Sequence, residues 1–387
     1  MKNDWQIKKL IDFCENYKQD IVDGPFGSDL KRSDYTSEGA PVLKIQNIKD
    51  AGLEIKNMDY VSKNKYNKLI RHSFTNGDII MTKLGDPLGV CAIVDNLDDG
   101  IIVADLVRIR AKYIDSKYLL YYLNSPENRS FINSQQKGTT RPRIRLDIVR
   151  QLPIPIPHEI NEQRIIVKKL DQIFEKLDKA KENAEKNLQN SRELFESYLN
   201  SVLSNQSWQK RRLKDICDKL FAGGDLPKDD FSKVKTEKYN VPIFANGVKN
   251  RGLYGFTNIE KVKRPSITIS ARGTIGYSEV REESFYPVVR LIVLIPNEEL
   301  IDLFFLYYIT LNFEFSNTGT SIPQLTVPMI ENIEISVPPV SVQKGIVKKL
   351  DELSKETKRL EENYKKKLAD LEELKKSVLQ KAFAGEL

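Results

Sequence analysis

The sequence is short of the residues that most catalytic chemistry needs. Its 387 residues include two histidines, His72 and His158, and three cysteines, Cys14, Cys91 and Cys217. The cysteines lie far apart and form no CxxC pair. Neither a zinc site nor a disulfide framework is therefore expected, and a reducing compartment suits the chain. Two histidines leave little for general acid–base work. There is no GxxxxGK[ST] phosphate loop, no GxGxxG turn and no HExxH pair. An adenine methyltransferase would need an Asn/Asp-Pro-Pro-aromatic segment, whereas the Pro-Pro here sits in Val337-Pro338-Pro339-Val340. Long apolar runs are missing too. The start, MKNDWQIKK, carries no leader-like stretch, and LIDLFFLYYITL (300–311) is broken by Asp302 and too short to span a bilayer. These absences predict a soluble, cytoplasmic, non-catalytic chain with no cofactor or metal of its own.

What the chain has is charge. Asp, Glu, Lys and Arg make up 30% of it, with a formal net charge of +7, which fits a polyanionic partner without establishing one. Much of the charge falls in two stretches rich in lysine and glutamate.

Comparison of the chain with itself reveals a tandem duplication. WQIKKLIDFC from Trp5 matches WQKRRLKDIC from Trp208, and GTTRPRIRLDIVRQLPIPIP (138–157) matches GTSIPQLTVPMIENIEISVPP (319–339). QRIIVKKLDQI (163–173) then matches QKGIVKKLDEL (343–353) in the same order. The offset falls from 203 at the tryptophans to 180 at IVKKLD, so the two middles differ in length as well as content. A shared frame with different middles is what one scaffold presenting two different recognition surfaces requires.

Each copy reads as short strands followed by a helix. APVLKIQNI, GDIIMTK, GVCAIV and IIVADLVRIR are the strand-like runs of the first copy; VPIFAN, SITISAR and PVVRLIVLI are those of the second. Helical patterns follow in SKYLLYYLNS and EELIDLFFLYYITL. Proline-bearing segments, LPIPIP and IEISVPP, then close each domain.

Two long helices come next. Core positions run Ile166, Leu170, Ile173, Leu177, Ala180, Ala184, Leu188, Ser191, Phe195, Tyr198 and Val202 in the first. In the second they run Ile346, Leu350, Leu353, Thr357, Leu360, Tyr364, Leu368 and Leu371, then Val378 and Ala382. The spacing alternates four and three, with a stutter at Ala184 and a matching one at Tyr364. Each helix would be about 40 residues, or roughly 60 Å at ~1.5 Å per residue. Each stripe needs a partner, and the nearest is the other helix, running back antiparallel about a pseudo-two-fold axis near the stutters. Packing on the helix's own domain, or between two chains, is the alternative. The fold expected is thus α+β: two similar globular domains (1–157 and 206–338) joined by two long antiparallel helices (158–205 and 339–387) with pseudo-two-fold symmetry.

The remaining polar signal lies in loops. QKGTTRPRIR (136–145) brings Lys137, Thr139, Thr140, Arg141, Arg143 and Arg145 together, a mixture suited to phosphates and guanine edges. Its counterpart keeps Thr320, Ser321 and Gln324. KLGDPLG (83–89) and ARGTIG (271–276) place Lys83 and Arg272 on glycine-bearing turns, and ANGVKNRGLYG (245–255) adds Asn246, Lys249, Asn250 and Arg251. Leu199, Leu203, Leu379 and Phe383 lie off the helical seam and are candidate contacts for a partner subunit or for the protein's own domains.

These features carry a family resemblance. The GTTRPRI and GTSIPQL turns, the IPIPHEINEQ and ISVPPVSVQK lead-ins and the ending LKKSVLQKAFAGEL resemble the specificity (S) subunit of type I restriction–modification systems, over all 387 residues. The resemblance implies two target-recognition domains on an antiparallel helical spacer, each reading one half of an asymmetric, bipartite double-stranded DNA sequence. Two methyltransferase (M) subunits would use S-adenosylmethionine to methylate adenine, and restriction (R) subunits would add ATP- and Mg-dependent cleavage. A structural coiled-coil scaffold binding only proteins is the competing class. One departure stands out: Ser341-Val342-Gln343 occupies the place of Asn161-Glu162-Gln163, so the two helices need not engage M identically.

Overall fold

The computed structural model describes residues 5–50, 52–137, 141–203, 207–228, 230–313 and 324–387. The two predicted long helices are present as Ile160–Leu203 and Val340–Ala384, within a mixed α and β chain. Compactness divides the chain into one unit of residues 1–184 with 366–387, and a second of 185–365. Each unit thus combines one globular domain with half of each long helix, and the division falls beside the stutters at Ala184 and Tyr364.

In the first unit, strand Gln6–Lys9 pairs antiparallel with the proline-bearing strand Pro153–Ile156, which ties the beginning of the domain to its end. Between them stand two sheets. One is antiparallel, in the order Cys91–Ile93, Ile79–Thr82, Leu106–Ile109, Ile21–Asp23. The other runs Tyr35–Thr36, Asp59–Val61, Ala40–Leu43, Gly100–Ile102, Ser73–Phe74, with Gly100–Ile102 parallel to Ala40–Leu43. The apolar run IIVADLVRIR, which reads as one strand, is therefore two strands in two sheets, parted at Val103–Asp105.

The second unit repeats this frame. Gln209–Arg212 pairs with Glu334–Val337. A four-stranded sheet runs Cys217–Ala222, Ile292–Pro296, Ser266–Ile269, Ser278–Arg281, and a three-stranded one Leu253–Thr257, Val241–Phe244, Tyr286–Pro287. Among the described residues the first unit has two strands more in its second sheet and a small hairpin (Ile48–Lys49 with Gly52–Leu53). Inserted material of this kind is what the falling offset between the copies records.

The long helices are built into each domain core. In the first unit Leu170 and Phe174 of one helix and Leu379, Ala382 and Phe383 of the other are buried with Leu10, Phe13, Met81 and Tyr118. The Phe383 ring meets Tyr118 and Tyr122 edge-on, at 5.3 and 5.2 Å between centroids. Lys181 pairs with Glu372 at 2.6 Å, and Lys375 lies over the Phe174 ring, so the two halves run antiparallel. In the second unit Leu199, Tyr308 and Leu350 are buried together, Arg192 faces Glu361 at 3.6 Å, and Lys349 lies over Tyr198, again antiparallel. Antiparallel pairing and packing on the domain are therefore both realised. Two polar seam positions, Ser191 and Thr357, are buried at no cost in unmet bonds. Each hydroxyl donates to a carbonyl of its own helix, Asn187 O and Leu353 O.

The identical residues at the helix starts have matching work. Gln163 Oε1 accepts the backbone N–H of Asp115 at 3.0 Å, and Gln343 Oε1 accepts that of Asp302 at 2.7 Å. Each aspartate in turn caps a domain helix, Ser116–Leu123 or Leu303–Leu311. Tyr121 donates to Asp171, and Tyr308 to Asp351, each at 2.5 Å. The departure at Ser341-Val342 thus leaves the glutamine clasp intact in both units. Gln343 is fully buried and also donates to Leu300 O and Pro338 O.

Replacing Gln343 with leucine orphans one N–H and two carbonyls, each buried or half-buried. Unmet groups of this kind cost ~1–3 kcal/mol each, so Gln343→Leu is expected to lower the urea midpoint of the purified chain measurably. Leu374→Ala, at a half-exposed helix position, is expected to leave it nearly unchanged.

Candidate nucleic-acid interface

In both units the sheet strands end at a rim where loops distant in sequence meet. In the first unit Asp23 lies opposite Val107, and Thr82 opposite Leu106, so the chain leaving the first two strands and entering the third runs side by side. Backbone bonds lock these loops together: Lys83 N–H to Asp105 O (2.9 Å), Ile144 N–H to Lys83 O (3.0 Å) and Gly85 N–H to Pro142 O (2.9 Å). Lys137 and Arg143 exchange both backbone bonds, at 2.9 and 3.0 Å, which closes the 136–145 loop at its base. The two basic turns singled out from the sequence, 83–89 and 136–145, are therefore neighbours.

The second unit repeats two of the rim's backbone bonds. Leu325 N–H donates to Ala271 O at 2.9 Å, as Ile144 does to Lys83. Gly223 N–H donates to Leu291 O, as Gly24 does to Leu106. Both glycines are required by close approach. A Cβ on Gly24 would stand 2.2 Å from the Val103 carbonyl, and one on Gly223 2.7 Å from the Pro287 carbonyl.

The side chains on the two rims differ in how their charge is met. Lys83 is not a free cation: its Nζ lies 2.5 Å from Asp23 Oδ2, with the side chain only 16% exposed. Its role is to hold two loops together. Arg145 is paired with Asp147, whose carboxyl is held below its usual range by the guanidinium hydrogen bond. Lys137, Arg141 and Arg143 are exposed and make no ion pair among the described residues. Thr139, Thr140, Thr320 and Ser321 lie outside the described residues.

In the second unit Arg272 and Gln324 come together across the rim, with Nε and Nη2 donating to Gln324 Oε1 at 3.2 and 2.7 Å. Asn246 is spoken for at both ends of its amide. Its Oδ1 accepts from Ala271 N–H at 2.7 Å and its Nδ2 donates to Val289 O at 2.6 Å, so it clasps two loops instead of reading a ligand. Lys249, Asn250 and Arg251 are exposed. Asn250 and Arg251 take left-handed backbone (φ +49° and +55°), and Arg251 is tied to Glu279 at 2.8 Å. Beneath them Arg281, which the sequence did not single out, is buried on the Phe244 ring (3.6 Å) and donates to Arg251 O at 2.6 Å. Burial lowers its pKa to about 10.

Of the two roles open to the helix-end candidates, the structure shows packing on their own domains. Leu199, Leu379 and Phe383 are each at most 5% exposed, packed inside their own units, and Leu203 is half-buried against the second core. They have little or no surface to offer a second protein, because the helix ends are consumed in closing the domain cores.

A second feature is hidden at the level of sequence because it lies in PVVRLIVLI, which looks like one strand. The structure breaks this run at a tight turn, Val288–Leu291, whose central residues Val289 and Arg290 are left-handed, at φ +53° and +60°. For a branched residue this costs ~1–2 kcal/mol, and only the surrounding bonds sustain it.

Comparison with known proteins places the chain. Residues 2–187 and 205–370 each match the type I restriction modification DNA specificity domain. A Mycoplasma pneumoniae protein named as type I specificity subunit S.MpnORF89P is 31% identical over 260 residues, covering 64% of this chain and 76% of that one. The Methanocaldococcus jannaschii type I restriction enzyme MjaIX specificity subunit is 23% identical over 99% of this chain and 94% of its own. Among solved structures, a chain from a study of assembly and conformational transition in the type I R-M system superposes with a TM-score of 0.78 at 20% identity, covering 100% of this chain and 99% of that one. The HsdS subunit of Thermoanaerobacter tengcongensis gives 0.64, also at 20% identity, with 100% and 98% coverage. The fold is therefore that of a restriction–modification S subunit. The chain belongs to the type I specificity family, whose business is DNA sequence recognition.

Asn246→Ala removes the clasp between the 271 turn and the 289 turn. It is expected to destabilise the second domain by ~1–3 kcal/mol, and hydrogen exchange should quicken at Ala271 and Val289 with little change in the first unit.

Proposed function

We propose that the two rims are the DNA-reading surfaces, each taking one half of a bipartite, asymmetric target, and that the chain itself carries out no chemistry. The observation that carries this is the pairing of sameness and difference: one rim frame, held at corresponding points by the same backbone bonds, with different side chains on it. Identical readers would select a palindrome; these offer Lys137, Arg141 and Arg143 on one rim and Arg272, Gln324, Lys249 and Arg251 on the other. Free cations beside backbone amides suit phosphates, and arginine and glutamine suit guanine and adenine edges in a major groove.

Adenine methylation then falls to two M subunits holding S-adenosylmethionine, with the target base flipped into their pocket. Cleavage falls to R subunits supplied with ATP and Mg, all in the cytoplasm. This division of labour is supported by the family and by the scarcity of histidine. It is also supported by the three thiols, each free and pushed by burial to a pKa of about 12. Among the described residues no helix is long and apolar enough to cross a membrane.

Two measurements test the reading. Purified chain with its M subunits should bind duplex DNA with steep salt dependence. A K137Q/R141Q/R143Q variant should lower the slope of log K against log salt by about 0.9 for each phosphate no longer neutralised, up to roughly 3. No retention of DNA at low salt, alone or with M, and no steep salt dependence would favour a protein scaffold instead. Removing one heptad from each long helix shortens both by ~10 Å, about three base pairs of B-DNA. Methylome sequencing should then show the same two half-sites with a shorter gap, and an unaltered motif would reject the spacer role.

A further inference from the structure

We infer that Arg290, at the tip of the strained turn Val288–Leu291, is a base-reading residue of the second domain and selects guanine. The inference rests on the rims being the DNA surfaces and adds a residue and a base preference to that reading.

The turn is held from three sides. Val288 N–H donates to Phe244 O (2.9 Å), Val289 N–H to Gly224 O (2.9 Å), Arg290 N–H to Gly223 O (3.0 Å) and Leu291 N–H to Val288 O (3.1 Å). The Asn246 side-chain amide donates to one of the two central carbonyls, Val289 O, at 2.6 Å. Asparagine and glycine are the residues that favour two successive left-handed positions. Here they are a valine and an arginine, so local preference opposes the conformation that five hydrogen bonds impose. Backbone strain fixed this thoroughly is found where the direction of a side chain matters.

What the strain presents is chemically specific. Val289 is 49% exposed and Arg290 is exposed. Unlike Arg251, tied to Glu279, or Arg264, tied to Asp218, Arg290 has no carboxylate partner among the described residues. Through Asn246 the turn is fastened to Ala271, next to the Arg272–Gln324 pair, so Arg290 belongs to the same rim. A rigidly mounted, unpaired guanidinium can donate two parallel N–H bonds to guanine O6 and N7, while the neighbouring valine offers an apolar surface to a thymine methyl.

The corresponding turn of the first unit sharpens the argument. Val103–Leu106 closes with the same bond, Leu106 N–H to Val103 O at 3.0 Å, but Ala104 and Asp105 keep negative φ. Asp105 therefore stands where Arg290 stands in the second unit. One position of the shared frame carries an acceptor in one domain and a fork of donors in the other, and the turn has opposite hand. An aspartate suits a cytosine amino group and rejects guanine by the same device that makes arginine select it.

The test is methylome sequencing of cells expressing the full chain with its M subunit, for wild type, Arg290→Ala and Arg290→Lys. The wild-type motif should hold at least one guanine in one half. Arg290→Ala should relax a single guanine there by about tenfold or more in methylation preference, with the other half and the gap intact. Arg290→Lys, which keeps the charge but not the fork, should relax the same position while retaining overall methylation. A wild-type motif without guanine, an unchanged motif in both variants, or a uniform loss rescued by lysine would each overturn the assignment, the last making Arg290 a phosphate contact. Absence of any motif in wild type, with M present and active on another S subunit, would instead bring down the DNA-reading function of the chain and this inference with it.

Discussion

A long helix with one apolar stripe cannot remain unpartnered in water, and the rest of this structure follows from how that stripe is covered. In each unit half of one helix lies antiparallel against half of the other, and the free end of the stripe continues into a domain core. Phe383 shows the consequence. It is nearly at the end of the chain, yet its ring lies edge-on to Tyr118 and Tyr122, in the same cluster as Phe13 and Met81. Burying an aromatic side chain of this size is worth ~1.5–3 kcal/mol from area alone, more than a surface ion pair such as Lys181–Glu372 contributes. The charges on the helix faces therefore keep them soluble and in register, while the seam and the aromatic anchor hold them.

Apolar packing by itself would let a domain rock on its helix, because hydrophobic contact has no direction. The polar clasps supply direction. Gln163 and Gln343 each meet the backbone of an aspartate that caps a domain helix, and Asp171 and Asp351 each take a tyrosine hydroxyl further along the same helix. Two directional bonds, separated by a helical turn or more and buried or half-buried, fix the angle at which helix leaves domain. This explains in physical terms why IVKKLD and the preceding glutamine are the most alike parts of the two copies. It also explains why the change at Ser341-Val342 is tolerated: those side chains are not part of the clasp.

The duplication, the helices and their stutters are legible in the sequence because a repeated apolar period is a long signal, summed over more than forty residues. Strand edges are less legible. IIVADLVRIR and PVVRLIVLI are both apolar enough to pass for single strands, and nothing in residue type announces that Val103–Asp105 and Val288–Leu291 reverse the chain between two sheets. Composition marks the loops of the interface but not their chemistry. Lys83 and Arg145 have the character of phosphate ligands until their aspartates, Asp23 and Asp147, are placed beside them. Asn246 has that of a reader until both ends of its amide are seen in use. For Lys83 the partner lies 60 residues away and for Asn246 the two lie 25 and 43 away, beyond any local pattern; for Arg145 it lies two residues on, and charge alone does not say that the two pair. Which of two roles Leu379 and Phe383 take, core or docking surface, is hidden for a related reason: a helical period tells which face is apolar, but not that the domain itself reaches round to cover it.

The same distinction bears on the proposal that two different DNA halves are read from one frame. A recognition surface that changes must sit on bonds that do not, or each change in specificity would have to be a change in fold. Here the bonds that recur, Ile144 to Lys83 with Leu325 to Ala271 and Gly24 to Leu106 with Gly223 to Leu291, are all between backbone groups. A backbone bond is indifferent to the side chain it carries, so Asp105 can become Arg290 and Leu84 can become Arg272 without loosening the rim. The exceptions are the two glycines, whose missing Cβ lets neighbouring loops touch, and they are the same in both copies. Side-chain clasps such as Lys83–Asp23 and Asn246 with Ala271 and Val289 differ between the copies. They make each rim rigid in its own way once its readers are chosen. Specificity in such a protein is thus free to vary wherever the frame is held by backbone alone, and is restrained only where a loop needs the absence of a side chain.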